Sequence, residues 1–208
     1  KNNTTTWMES CQLNIDASSD TLILEGDKDL AYTQLVNKRY YSPDFLILAY
    51  TPKEDLLSKN TIETIENIST KLLLINNVDS VTSILNVPIL MSPPRPITEL
   101  VEYIPTLKSQ NIDLDLVKKE FISSPLYSDN LVSRDFKTTS IIINLKEDKV
   151  GLKIRDERNL LREKNIQVSL NDTDLVKLNN LEKRYNNHKK IIKSTNEQTI
   201  NQIREIIK

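Results

Sequence analysis

The sequence predicts an α+β fold in which a sheet-containing body is followed by a helical section. Three apolar runs of strand length predict the sheet: residues 44–50, 78–85 and 138–145. Between the first two runs, residues 58–75 place isoleucine and leucine at helical spacings. After Gly151 the chain contains no proline and keeps helical spacing almost to its end. We therefore expect three strands, a helix on one face of their sheet, and a helical C-terminal section.

The first strand and the first helix follow from local signals. Residues 45–50 are an unbroken apolar run, which predicts a strand covered on both faces and places Ile47 in the core. Ser58 is a favourable N-cap, and the helix after it carries Ile65 and Leu72 on one apolar stripe. A strand, a helix and a second strand in this order form a β-α-β unit. The two strands should then be parallel neighbours or near-neighbours in a mixed sheet.

The remainder of the body predicts further helices and a hairpin. Residues 113–121 align apolar side chains on one face of a helix, and residues 97–104 predict a shorter one. Residues 131–132 and 138–145 flank a short link, which predicts a hairpin. These elements bring the chain back to the sheet for its third strand.

Residues 87–94, with the sequence VPILMSPP, are unusual because a loop is normally polar. The prolines keep this segment out of a helix and out of any central strand. Its apolar side chains either pack under the sheet as core, which is the simpler interpretation, or line an apolar groove. The candidate substrate or interface residues are Pro88, Ile89, Leu90, Met91, Pro93 and Pro94.

Charge divides the chain at Gly151. Residues 151–208 contain 13 Lys and Arg against 8 Asp and Glu, whereas residues 1–150 contain 15 against 21. We interpret the chain as a polar lead of residues 1–12, an α/β body of residues 13–150 and a basic helical section.

The helical section predicts a hairpin. A polar break near residue 170 separates two helices over residues 151–194, and a returning helix follows over residues 195–208. We expect the hairpin to project from the body, with its helices packed mostly on each other. The predicted contact residues are Ile154, Leu160 and Leu161 on the first helix and Leu175, Leu178, Leu181 and Tyr185 on the second.

The composition excludes several kinds of functional site. With only two glycines, Gly26 and Gly151, the chain has no glycine-rich phosphate-binding loop. A single cysteine and a single histidine exclude a disulfide framework and argue against a zinc site. The net charge of −1 gives no support to a nucleic-acid partner, and no apolar run approaches the ~18 residues that cross a bilayer. We expect no enzymatic activity, no metal and no cofactor.

Three charged features have simple structural interpretations. His188 lies on a lysine-rich helical face, where we expect an exposed side chain rather than part of a catalytic triad. An acidic group lacks the spacing of a calcium loop and predicts helix caps and a solvated turn: Asp16, Asp20, Glu25, Asp27 and Asp29. A basic group is interpreted as a solvated face, with contact to phosphate or anionic lipid as the alternative: Lys183, Arg184, Lys189, Lys190 and Lys193.

Several sequence blocks, in this order, resemble one known family. They are residues 20–57, which include DFLILAYTP, residues 76–90, NNVDSVTSILNVPIL, and residues 123–148, which begin SSPLYSDNL. Together they resemble the extracytoplasmic porter domain of exporters of the RND (resistance-nodulation-division) superfamily, MMPL-like branch.

The resemblance implies a ferredoxin-like split β-α-β fold whose last strand is missing, with residues 151–194 inserted before the second helix. An open sheet edge would follow. It also implies proton-driven export of hydrophobic or amphiphilic molecules, including lipids, with this domain forming part of the substrate path. The domain would lie on the periplasmic side of a bacterial inner membrane, against its own membrane helices and a second porter domain. The family's proton-relay acids lie in membrane helices, so none maps onto this chain.

Two other classes of function are compatible with the sequence. The chain could be a soluble binding or scaffold module whose hairpin, residues 151–194, recruits an accessory protein or a second copy. A hydrolase with a site that no motif marks is the third possibility.

Overall fold

The computed structural model describes residues 44–91 and 104–208, together with Tyr32 and Val36, which are both helical. The chain divides into two compact units after Ser42, and all strands and helices described below belong to the second unit. Within the described ranges, no helix is both long and apolar enough to cross a membrane.

The sheet has three strands: β1 (Phe45–Tyr50), β2 (Val78–Thr82) and β3 (Thr139–Leu145). Their order is β1-β3-β2, and β3 pairs antiparallel with both neighbours. β1 and β2 therefore run in the same direction, with β3 between them. The prediction of a mixed sheet is wrong for these strands. β3 lies between β1 and β2 and runs in the opposite direction to both, so both pairings are antiparallel. The α+β class is confirmed.

The helix between β1 and β2, α1 (Lys59–Leu73), confirms the prediction from its apolar stripe. Ser58 is the N-cap, and its Oγ accepts the N–H of Thr61 at 3.2 Å. Ile65 and Leu72 are fully buried. The helix thus forms because a local cap and a stripe at helical spacing agree.

β2 ends earlier than the sequence predicts, because the chain turns at Ser83. The side chain of Asn86 closes this turn: its Oδ1 accepts the N–H of Ser83 at 2.8 Å, and its Nδ2 donates to the C=O of Val81 at 2.7 Å. Ile84 and Leu85, which were expected in the strand, lie in the turn and remain fully buried.

Among the described strands, β1 lies at the edge of the sheet and has one covered face, so the prediction that both of its faces are buried is wrong. The side chains of Phe45 and Ile47 are 53% and 61% exposed. Leu46, Leu48 and Tyr50 point to the opposite face and pack, half-buried, against the main core. Ile47 therefore does not belong to the core.

The second helix of the body is α2 (Leu114–Ser123), as predicted. Asp113 caps it, with Oδ1 accepting two N–H groups of the first turn at 3.0 and 3.2 Å. Val117 and Phe121 are fully buried.

A short hairpin-like link leads from α2 to β3, as expected. Val132 pairs antiparallel with Thr139, and the N–H of Ser133 donates to the C=O of Thr138 at 2.9 Å. The short helix predicted at residues 97–104 falls outside the described residues, except for its last position.

The C-terminal section contains α3 (Lys149–Gln167) and α4 (Asp172–Ile206), which pack antiparallel. Asn171 caps α4 by accepting the N–H of Asp174 at 2.8 Å. α4 continues without a break, so the second hairpin helix and the returning helix, which were predicted separately, are one helix. No proline or glycine after Gly151 interrupts it.

A small second core joins α3 to α4. It contains five of the seven predicted contact residues: Ile154, Leu161, Leu178, Leu181 and Tyr185. The other two, Leu160 and Leu175, are exposed, so their predicted role is wrong. Leu160 lies one residue before the buried Leu161 and therefore about 100° away around the helix axis, so its side chain faces away from α4.

The main core lies between the covered face of the sheet and helices α1, α2 and α4. Ile203, near the end of α4, belongs to it. The Nδ2 of Asn77, just before β2, donates to Asn196 Oδ1 at 3.2 Å and to Thr199 Oγ1 at 3.1 Å. The end of α4 is thus anchored in the body, whereas its beginning packs on α3.

Candidate functional site

The loop after β2 contains the described part of the candidate substrate or interface segment. Pro93 and Pro94 lie outside the described residues, and the four others are described: Pro88, Ile89, Leu90 and Met91. Ile89 is fully buried in the main core, whereas the side chain of Met91 is 60% exposed and that of Leu90 is partly exposed. The segment therefore combines a core residue with outward-facing apolar residues.

A buried carboxylate holds the backbone of this loop. Glu120 of α2 is only 6% exposed, and its two oxygens accept the N–H of Leu90 at 2.8 Å and the N–H of Met91 at 2.9 Å. Hydrogen bonds to a charged acceptor are stronger than those between neutral groups. The carboxylate therefore fixes the chain at the two residues whose side chains face outward.

Tyr127 holds the same loop at Pro88, two residues before Leu90. Its hydroxyl donates to the C=O of Pro88, and its ring packs edge-on against Phe121, with ring centroids 5.3 Å apart. Burial, and secondly the negative charge of Glu120, raises the pKa of the Tyr127 phenol above its ordinary value. The phenol therefore stays protonated and keeps donating at neutral pH.

These contacts display Leu90 and Met91 on a fixed backbone. The surrounding polar groups, the Glu120 carboxylate and the Tyr127 hydroxyl, are already engaged in holding main-chain atoms. Such a surface is suited to contact with an apolar molecule or an apolar partner surface. We call the outward pair Leu90 and Met91, with their two anchors Glu120 and Tyr127, the anchored loop.

Sequence reasoning identified the loop but missed both of its anchors. One signal could have found Glu120: it lies three residues after Val117 and directly before Phe121, on the buried stripe of α2. A charged residue on an apolar stripe needs partners, because burying an unpaired charge is costly. No comparable signal marks Tyr127.

A second polar cluster lies where α3 and α4 meet. Asp148 caps α3 by accepting the N–H of Gly151 at 2.9 Å, and both of its oxygens lie within 2.8 Å of Nε2 of His188 on α4. The expected exposure of His188 is wrong, because the side chain is mostly buried against Asp148. A Cβ on Gly151 would lie 2.0 Å from Asp148 Oδ2 and 2.9 Å from His188 Cδ2. The glycine is therefore required by close approach.

The basic group on α4 is exposed, and none of its five cations forms an ion pair with another described residue. The Nζ of Lys189 lies 5.8 Å from the ring centroid of Tyr185, and the Cζ of Arg158 lies 4.1 Å from the same centroid. The acidic group, Asp16 to Asp29, lies outside the described residues. Among the residues that the structure describes, no cluster of three or more His, Cys, Asp or Glu could hold a metal ion.

Comparisons of the chain with protein-family models, with curated proteins and with solved structures find no match.

Proposed function

We propose that this chain is the extracytoplasmic porter domain of an RND exporter of the MMPL-like branch. In this role it forms part of a path for hydrophobic or amphiphilic molecules and performs no covalent chemistry. The sequence blocks quoted above motivate the proposal. The observation that carries it is the order β1-β3-β2, in which two parallel strands joined by α1 are separated by an antiparallel third strand.

On this proposal, β1, α1, β2 and β3 correspond to the first four of the six elements of the ferredoxin-like split β-α-β fold that the resemblance implies. Helices α1 and α4 support the same interpretation, because both contribute to the core on the covered face of the sheet. The end of α4 then corresponds to the second helix of the fold, and α3 with the first half of α4 corresponds to the insertion.

Contacts between the sequence blocks add further support. Tyr127 lies in the block 123–148, and its hydroxyl donates to Pro88 in the block 76–90. Two of the three blocks that carry the resemblance therefore meet in space at the anchored loop. On this proposal, Leu90 and Met91 contact the transported molecule or the second porter domain, on the periplasmic side of a bacterial inner membrane.

The proposal is tested first on the gene. The reading frame that encodes this segment should encode a membrane helix before the segment and several more after Lys208. A frame without membrane helices on either side would overturn the proposal.

The full-length protein provides the functional test. Cells that express it should extrude an amphiphilic fluorescent dye in a manner abolished by a protonophore. The double variant Leu90→Asp, Met91→Asp should slow this efflux, whereas the control Leu160→Asp, at an exposed leucine on α3, should not. Equal efflux by both variants would remove the anchored loop from the substrate path.

A second candidate function is a binding module that uses the helical arm, here defined as α3 with the facing half of α4. Ile166, Val168 and Val176 near its turn are all more than half exposed, which favours contact with an accessory protein. Replacing Ile166 and Val168 by Asp in the full-length protein should abolish a chemical cross-link to that partner and leave efflux intact. Efflux lost together with the cross-link would place the arm in the transport path instead.

A further inference from the structure

We propose that α4 binds the surface of an anionic lipid bilayer through its basic group: Lys183, Arg184, Lys189, Lys190 and Lys193. The inference rests on how charged and apolar side chains are arranged around this helix. It does not depend on the proposed exporter function, and its test does not measure transport.

The middle of α4 carries a local excess of positive charge. Residues 175–196 contain six Lys and Arg against a single acid, Glu182, in a chain whose net charge is −1. Glu182 pairs with Arg162 of α3 at 2.9 Å, and the preceding acid of α4, Asp174, pairs with Lys164 of α3 at 2.6 Å. The acidic side chains of this part of α4 therefore hold the two helices together. The cations of the basic group are exposed and have no acidic partner among the described residues.

Three of these cations lie on the outer face of α4, which we define as the side opposite the buried Leu181. At the usual turn of an α-helix, Lys190 lies about 180° around the axis from Leu181, Lys183 about 160° and Lys193 about 120°. From Lys183 to Lys193 they extend about 15 Å along the helix. They form a row of positive charge that can meet a flat, negatively charged surface.

Exposed apolar side chains lie among these cations and favour a bilayer over other anions. Ile191, next to Lys190, is 61% exposed, and Val176, two turns before Lys183, is 62% exposed. The boundary between headgroups and acyl chains accommodates both cations and apolar side chains. A nucleic acid fits less well, because the only Phe, Tyr or Trp in this part of α4 is Tyr185, which packs against the small core between α3 and α4.

The two kinds of contact together are sufficient for reversible binding. Each cation near an anionic bilayer strengthens binding by about fivefold, so five cations together reach about a thousandfold. Ile191 and Val176 add apolar burial to this attraction. Because salt screens exposed charges, binding should weaken as the ionic strength rises.

Vesicle sedimentation with the 208-residue chain tests the proposal. The chain should bind vesicles of equal parts phosphatidylglycerol and phosphatidylcholine at least about tenfold more strongly than vesicles of phosphatidylcholine alone. Replacing Lys183, Lys190 and Lys193 by Gln should weaken this binding by about a hundredfold. The matched control removes three exposed lysines of the body and should weaken it by less than about threefold: Lys59→Gln, Lys71→Gln and Lys119→Gln.

A fluorescent probe locates the contact on the chain. In a Cys11→Ser background, Ile191→Cys labelled with an environment-sensitive dye should emit at shorter wavelength when anionic vesicles are added. The same dye on Leu126→Cys, at an exposed apolar position of the body, should not respond.

Four outcomes would overturn the proposal: no preference for anionic vesicles, equal weakening by the two lysine triples, an unshifted probe at residue 191, or an equal shift at residue 126. Two competitors test other anions. Polyuridylic acid or polyglutamate that binds the chain more tightly than the vesicles do would assign the basic group to a polyanion instead. Displacement from the vesicles by inorganic phosphate at constant ionic strength would assign it to a free phosphate ion, and either result would also overturn the proposal.

Discussion

Nε2 of His188 lies 2.7 Å and 2.8 Å from the two carboxylate oxygens of Asp148, which joins the middle of α4 to the first turn of α3. The same carboxylate caps α3 by accepting the N–H of Gly151. One aspartate thus fixes the start of a helix and its contact with the facing helix. This double use explains why the last glycine of the chain lies here.

Gly151→Ala tests this junction. The added methyl carbon would lie 2.0 Å from Asp148 Oδ2, so the aspartate must move and lose the cap, the His188 contact or both. We expect a loss of about 1–3 kcal/mol in the free energy of unfolding, measured by urea denaturation. The control Val150→Ala, at the exposed preceding position, should change it by less than about 0.5 kcal/mol. Equal midpoints for Gly151→Ala and wild type would contradict the required close approach.

Glu120→Ala tests the anchored loop. It removes the acceptor of the Leu90 and Met91 N–H groups, and leaving buried donors unpaired costs about 1–3 kcal/mol each. Hydrogen exchange at these two amides should accelerate strongly. Glu120→Gln keeps one carbonyl acceptor and should fall between Glu120→Ala and wild type. Glu63→Ala, on the solvent side of α1, is the control, and unchanged exchange in Glu120→Ala would show that other groups hold the loop.

Replacing isoleucine by alanine at two positions of the sheet distinguishes a core side chain from an exposed side chain on β1. Ile143→Ala on β3 removes a side chain with 1% exposure and should cost about 2–5 kcal/mol. Ile47→Ala on β1 removes a mostly exposed side chain and should cost less than about 1 kcal/mol. Chemical denaturation at low protein concentration measures both. Similar losses for the two variants would show that the open face of β1 is covered.

Asp55 gives a pH-dependent prediction. A hydrogen bond from Lys118, followed by one from the N–H of Leu57, lowers the pKa of the Asp55 carboxyl below its ordinary value. A carboxyl whose pKa is lowered on folding stabilises the protein above its unfolded-state pKa, and this stabilisation is lost as the pH falls through its folded-state pKa.

The free energy of unfolding of wild type should therefore exceed that of Asp55→Asn at neutral pH, and the difference should shrink in acid. Because both side chains of this ion pair are about half exposed, we expect a small difference that added salt reduces. A difference that stays constant from neutral to strongly acidic pH would contradict the role of this ion pair.

Local signals were sufficient to predict α1, α2 and the helical nature of the C-terminal section, but they divided α4 into two helices. Ser58 and the stripe through Ile65 and Leu72 specify α1 within a few turns of chain, and the absence of glycine and proline after Gly151 allows α3 and α4. The environment of β1 could not be predicted in this way. Residues 45–50 are apolar on both faces, and only the non-local order β1-β3-β2 makes this strand an edge.

The polar contacts were harder to predict than the environment of β1, because they join residues far apart in the sequence. Asp148 and His188 are separated by 40 positions, and Glu120 lies 30 positions after Leu90. No periodicity links such pairs. The apolar loop itself was recognisable because its composition departs from that of an ordinary loop, whereas its anchors depend on how α2 packs beneath it.

Because α4 is one unbroken helix, a change in its orientation at one end displaces its other end. Its 35 residues span about 52 Å at the usual rise of an α-helix. Its C-terminal turns lie in the main core, while its first turns lie in the helical arm, at the opposite end of the helix. A tilt of about 10° at the core would carry the N-terminal end of such a rod by about 9 Å. Small rearrangements around Ile203 would therefore appear, amplified, at the turn between α3 and α4, and a force applied to that turn would reach the sheet.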